Sequence, residues 1–206
     1  MQWKEGLPVF LSNLSVTSYN SAPYLNLSFF TTQTVIGHYG VAEKVMQVVR
    51  QFCGVYSQAI YPQVCKLATE SHSKLRKMWR GLFFPFLLPY TLGCGAIFLA
   101  SDYIALILTG HPQQEISLLI KILICVPPIV FTNIPSFQTL MAYQFRKEIL
   151  FVLLSSSVLN FLLIIFMSWQ FQAVGAAVSL MITELIISIG LLVQLEKAGK
   201  AYSLLN

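Results

Sequence analysis

GHYGVAEKVMQVVRQFCGVYSQAIYP, the stretch from Gly37 to Pro62, keeps its polar residues to one side of a helix inside a chain that is otherwise apolar. At about 100° per residue, with Glu43 as zero, Gln47, Arg50, Gly54, Ser57 and Tyr61 fall within about 40° of it, and Lys44, Gln51 and Gln58 lie beside them. The other side holds Val45, Met46, Val48, Val49, Phe52, Val55, Tyr56, Ala59 and Ile60. A membrane helix cannot turn a charged stripe to lipid, so this one faces other helices or a water-filled cavity. The pattern suggests a transporter.

Around that stretch the composition is that of an integral membrane protein. Hydrophobic residues make up 56% of the chain and charged residues 10%, with a mean hydropathy of +0.68, beyond what soluble domains hold. Apolar segments long enough to cross a hydrocarbon core of about 30 Å recur throughout and leave no room for a soluble domain. The predicted fold is all-α, with six transmembrane helices over residues 7–32, 40–66, 80–100, 114–142, 147–168 and 173–195. SDYIALILTG, residues 101–110, is too short to span; it is expected as an interfacial helix N-capped by Ser101 and Asp102, before a turn at Gly110, His111 and Pro112. Strand alternation is absent, which argues against a barrel.

Positive charge near helix ends is retained in the cytoplasm. Lys4, the run Lys66, Lys74, Arg76, Lys77 and Arg80, the pair Arg146 and Lys147, and Lys197 with Lys200 all fall on one side of the six-helix reading. The opposite loops, near residues 33–39, 110–113 and 169–172, contain no Lys or Arg. Both termini are therefore expected in the cytoplasm. Lys44, Arg50 and Lys121 are left without a topological reason. The net charge of +5 is mostly this bias, and no nucleic-acid module is recognisable, so nucleic acid is not an expected partner.

The opening MQWKEGLPVF lacks the short apolar core and small-residue cleavage site of a signal peptide, so the first helix is expected to be retained. Cys53, Cys65, Cys94 and Cys125 are scattered singly, and His38, His72 and His111 are spread over loops; neither set has the spacing of a disulfide or zinc framework. Phosphate-cradling glycine loops, HExxH and convergent catalytic sets are missing, so no enzyme, cofactor or metal is expected. Without an ATPase module, uphill transport would draw on an ion gradient, the substrate's own gradient or another protein.

Helix 1 carries a milder polar face of Asn13, Thr17, Asn20, Ser21, Tyr24 and Ser28, with Ser15, Tyr19 and Asn26 as a second patch. Beside helix 2 it can line one aqueous path, or serve as interhelical hydrogen-bonding glue. Lys121 either snorkels to the interface or joins that path. Glu184, in the middle of helix 6, is paired, protonated or part of a coupling site. Pro85, Pro89, Pro127, Pro128 and Pro135 kink helices 3 and 4, for bending or for packing.

GHYGVAEKV, then VYSQAIYPQV and a basic loop, then ALILTGHPQQ, IKILICVPP and FQAVGAAVSLMITEL, resemble in order and spacing the oligosaccharide flippases, notably O-antigen flippases, of the multidrug, oligosaccharidyl-lipid and polysaccharide exporter superfamily. The resemblance covers residues 1–206 and matches the carboxy-terminal six-helix lobe of a two-lobed fold, which implies an amino-terminal lobe or second subunit as partner. It implies a lipid-linked substrate, an undecaprenyl-diphosphate oligosaccharide, turned across the bilayer by alternating access. Lys44 and Arg50 could hold a diphosphate, and Asn13, Asn20, Tyr24, Gln47 and Gln51 offer donors and acceptors to sugars. The expected substrate path is thus Asn13, Thr17, Asn20, Tyr24, Glu43, Lys44, Gln47, Arg50, Gln51 and Lys121, with Glu184 as a coupling or structural residue. A cation-coupled drug antiporter, a lipid II flippase, a non-transporting assembly subunit and a truncated fragment stay open as alternatives.

The orientation has a direct check. Topology reporters fused after Lys74 and after His111 are expected to behave oppositely, with the Lys74 fusion cytoplasmic, and a periplasmic Lys74 would overturn the assignment.

Overall fold

The computed structural model describes Phe10, Thr17 and residues 22–205, with side chains as far as Gly199 except that of His72. Of the first predicted helix, residues 22–30 form helix α1; most of residues 7–21, Asn13 and Asn20 included, lie outside the described residues. The remaining elements are α2 (Gln33–Glu70), α3 (His72–Leu99), α4 (Ser101–Thr109), α5 (Gln114–Leu123), α6 (Val126–Ala142) and α7 (Arg146–Leu205). Among the described residues every element is a helix.

The helices are longer, and the breaks shorter, than the charge pattern implied. α2 starts at Gln33 and so absorbs the expected loop at 33–39, and Ser71, with extended backbone, alone separates it from α3. The basic run from Lys66 to Arg80 is therefore helical except at Ser71, as its Lys and Arg favour and as the absence of Gly and Pro there permits. Conversely, the predicted helix 114–142 is broken. Pro127 and Pro128 cannot donate to the carbonyls of Leu123 and Ile124, and the chain tightens there, the Cys125 N–H bonding to Ile122 O at 3.2 Å. The expected cap at α4 is also corrected: Ala100 is the N-cap residue and no side chain caps it. Ser101 is buried, its hydroxyl 3.1 Å from that of Ser117.

The predicted helices 147–168 and 173–195 appear as two arms of α7 folded back at Gln172, the one residue of α7 outside helical geometry, with φ 50° and ψ −129°. A Cβ on Gly175 would lie 2.0 Å from the carbonyl oxygen of Met167, so the close approach after this turn requires glycine. Down the hairpin, Asn160 Nδ2 donates to Thr183 Oγ1 at 2.7 Å, and Gly190 packs on Val152. Ala173, Ala176, Ala177 and Ser179 are buried on the second arm, small residues of the kind that let membrane helices approach closely.

α2 packs on α5 and α6, and α6 on α7, around a core that includes Tyr39, Met46, Leu123, Leu140, Ile164 and Leu180. Large apolar side chains also cover the exterior, such as Phe84, Leu92, Phe151 and Leu162. Three stretches are long and apolar enough to cross a membrane: Ser73–Leu99, Gln114–Ala142 and Arg146–Gly199. The third is the hairpin, each arm of which runs for roughly 39 Å at 1.5 Å per residue. Arg76 and Arg80 of α3 share one cavity with Tyr143 and Gly199, so the start of α3, the α6–α7 junction and the end of α7 lie at one end of the bundle.

Gly175→Ala is expected to destabilise the folded protein by about 1–3 kcal/mol through overpacking. At Gly93 a Cβ meets nothing, so Gly93→Ala is expected to be neutral or slightly stabilising. Thermal unfolding of both variants in one detergent measures the difference; equal midpoints would show that the tight turn at Gly175 is not formed.

Candidate functional site

α2 divides the polar stripe of the sequence between two environments. On its inward side, Glu43 is 3% exposed and accepts a hydrogen bond from the Tyr24 hydroxyl of α1, while Tyr24 packs edge-on against Tyr39 with ring centroids 5.7 Å apart. Two turns on, Arg50 Nη2 meets Glu184 Oε1 of α7 at 2.7 Å, with the Arg50 side chain 22% exposed and that of Glu184 3% exposed. Two turns further, Gln138 of α6 donates from Nε2 to the Ser57 hydroxyl and, at 3.2 Å, to the Ser57 carbonyl. These residues recur every seven positions, which keeps them on one side of a helix. Each ties α2 to a different neighbour.

Lys44, Gln47, Gln51, Gly54 and Gln58 are exposed. So are Val48, Phe52, Val55 and Ala59, which the sequence pattern had grouped with the buried Met46 and Ile60. At about 100° per residue the open face spans roughly 160°, polar over one half and apolar over the other. The border between buried and open surface on the polar side runs along Arg50. Tyr24 is 37% exposed, so α1 adds a hydroxyl group to the surroundings of Glu43, and Thr17 is exposed as well.

Lys121 takes a different place from the other expected path residues. Its ammonium lies 3.2 Å from the Asp102 carboxylate of α4. Ser117 completes this group: its hydroxyl, 3.1 Å from that of Ser101, donates its proton to Asp102. The Ser117 hydrogen bond and then the Lys121 ammonium hold the Asp102 carboxyl below the usual carboxylate range. Nearby in sequence, His38 Nδ1 of α2 meets Glu115 Oε2 of α5 at 2.8 Å. Both contacts join helix ends at the opposite end of the bundle from Arg76 and Arg80.

Below Arg50 the wall between α2, α3 and α6 is aromatic. Phe131 is fully buried, its ring 4.9 Å from those of Tyr56 and Tyr90 and 5.6 Å from that of Phe83. The Tyr90 hydroxyl donates to Val49 O at 3.0 Å and is 3.0 Å from Cys53 Sγ. Cys53 is thus a packing residue within this cluster. Among the described residues no group of His, Cys, Asp and Glu could hold a metal ion. Neither the Asp102 group nor the Gln138–Ser57 bond is visible as a pair in the sequence, because the partners lie far apart along the chain.

No family model and no solved structure matches the chain. It is 22% identical over 194 residues to a protein of Escherichia coli (strain K12) named "Putative O-antigen transporter". The match covers 89% of this chain and 45% of that protein, so the chain spans about half the length of the curated relative it matches. With its apolar exterior, this relationship makes the chain a multi-pass membrane protein.

Breaking the Arg50–Glu184 pair is expected to be costly from either side. Arg50→Ala removes the cation 2.7 Å from a carboxylate that is 3% exposed and should cost about 3 kcal/mol, while the Arg50→Gln, Glu184→Gln double variant should cost clearly less than the sum of its single changes. A double-mutant cycle on thermal unfolding reads this; strict additivity would show that the two side chains do not interact.

Proposed function

Because the chain is a distant relative of an O-antigen transporter, we propose that it is the carboxy-terminal lobe of a flippase for lipid-linked oligosaccharides. On this reading it crosses a bacterial inner membrane six times, with both termini cytoplasmic. With an amino-terminal lobe or second subunit it encloses a path along which an undecaprenyl-diphosphate sugar repeat is turned outward by alternating access.

The observation that carries this reading is the open face of α2. Lys44, Gln47, Gln51 and Gln58 form an exposed polar arc on a bundle whose exterior between its two ends is mostly apolar. Lipid does not tolerate such an arc, so water or a facing lobe covers it. The neighbouring Val48, Phe52 and Val55 suit lipid or the apolar rim of a facing lobe. Glutamine side chains both donate and accept, as sugar hydroxyls require, and an ammonium attracts a diphosphate. Lys44 is the open cation of the arc, whereas Arg50 stands at its border with Glu184 against it. In this arrangement Lys44 makes the first charge contact, and Arg50 contributes charge that Glu184 orients. Glu43, sealed against Tyr24, holds α1 to α2 and so fixes the wall.

A complete two-lobed protein expressed in cells that need it for surface polysaccharide tests the assignment. Lys44→Gln should lower export at least about tenfold, the loss that removing one charge-assisted hydrogen bond implies, while Lys44→Arg retains most of it. Cysteines at Gln47, Gln51 and Gln58 should react with a membrane-impermeant thiol reagent faster than cysteines at Val48 and Val55. Wild-type export by a normally accumulating Lys44→Gln variant would remove Lys44 from the path, and equal labelling of the two sets would remove the path itself.

A further inference from the structure

At the basic end of the bundle, α3, α6 and the second arm of α7 enclose a cavity of about 590 Å³, within the range of pockets that bury a small organic molecule. Its lining changes character along its length. Arg76 and Arg80 stand on the α3 wall, Tyr143 at the end of α6, and Glu196 on α7. Deeper in, the walls combine Phe83, Phe84 and Leu192 with Thr132 and Ser136 of α6. From Arg76 to Phe84 the gradient from charged to apolar runs over about 12 Å of helix axis. Phe84 is 62% and Leu192 49% exposed, so the apolar part opens sideways, where the hydrocarbon of a bilayer would lie, and not toward water.

Both guanidinium residues are exposed, and among the described residues neither takes part in an ion pair. Lys74, on the same turns of α3, is engaged with Glu70 at 3.0 Å. Trp79 stands between the two arginines on the cavity wall, its indole N–H held by Thr139 Oγ1 at 3.1 Å. That bond fixes the ring at the level where charge gives way to hydrocarbon, the depth at which tryptophan settles in membranes. Two cations against the single carboxylate of Glu196 leave the rim positive.

We propose that this cavity is a binding site for a membrane phospholipid with an anionic headgroup. The phosphate lies between Arg76 and Arg80, and one acyl chain runs past Trp79 to Phe84 and Leu192. An apolar slot alone would take any lipid; the arginine pair at its mouth selects charge, as basic pockets between membrane helices do. No residue of α2 lines the cavity, so the site is separate from the proposed substrate path and does not depend on that assignment.

The chain contains three tryptophans, so replacing Trp3 and Trp169 with Phe leaves Trp79 as the reporter. The chain is reconstituted in phosphatidylcholine vesicles containing a small fraction of either brominated phosphatidylglycerol or brominated phosphatidylcholine, and quenching of Trp79 is compared. Phosphatidylglycerol should occupy the site about fivefold better, the preference expected from one uncompensated basic residue near an anionic lipid. Arg76→Gln with Arg80→Gln should abolish the preference, whereas Lys74→Gln with Lys77→Gln, which removes the same charge from the same turns but not from the cavity wall, should leave it. Glu196→Gln should strengthen it. Equal quenching by the two lipids, or equal loss in the arginine and lysine pairs, would overturn the proposal and mark the effect as general attraction to a basic surface.

Discussion

Arg50 and Glu184 lie 134 positions apart in sequence and 2.7 Å apart in space. A membrane offers such groups no water, so each must be matched by another part of the chain. Matching them draws α2 against the second arm of α7, and the remaining polar contacts extend the principle. Gln138 reaches Ser57 between α6 and α2, Trp79 reaches Thr139 between α3 and α6, and Asn160 reaches Thr183 within α7. Apolar side chains cannot specify this arrangement by themselves, because lipid tails are as apolar as a leucine core. The few polar groups decide which helix faces touch, and the small residues of the second arm decide how closely.

With those groups satisfied, the open half of α2 stands out by contrast. Glu43, Arg50 and Ser57 are consumed in holding the bundle together, while Lys44, Gln47, Gln51 and Gln58 make no such contact among the described residues. A helix that spends one polar edge on structure and leaves the next edge open is the shape expected of a wall between a lobe and a cavity. The apolar strip beyond it, from Val48 to Val55, marks where that wall meets a different medium.

The helical class and the clustering of basic segments at one end were legible in the composition and in the spacing of Lys and Arg. The breaks were less so, because a run of charge reads as a loop, whereas Lys and Arg are good helix formers and continue through residues 66–80 with only Ser71 interrupting. The faces of α2 were legible only in part. Periodicity separates polar from apolar residues, yet it cannot tell an apolar residue in the core, such as Met46, from one on the exterior, such as Val48. Glu184 was recognisable as needing a partner, but nothing in the sequence singles out Arg50 over Lys44 as that partner. Arg76 and Arg80 were read as topology signals alone; their spacing around Trp79 gains meaning only when α6 and α7 close the cavity beside them.

The fold-back at Gln172 also bears on how the chain enters a membrane. Thr183 satisfies its hydroxyl within its own arm by donating to Ser179 O at 2.8 Å, whereas the Asn160 side-chain N–H finds its acceptor, Thr183 Oγ1, across the hairpin at 2.7 Å, so the first arm is better shielded from hydrocarbon with the second beside it. Insertion of the two arms together, as one hairpin, would keep that amide matched throughout.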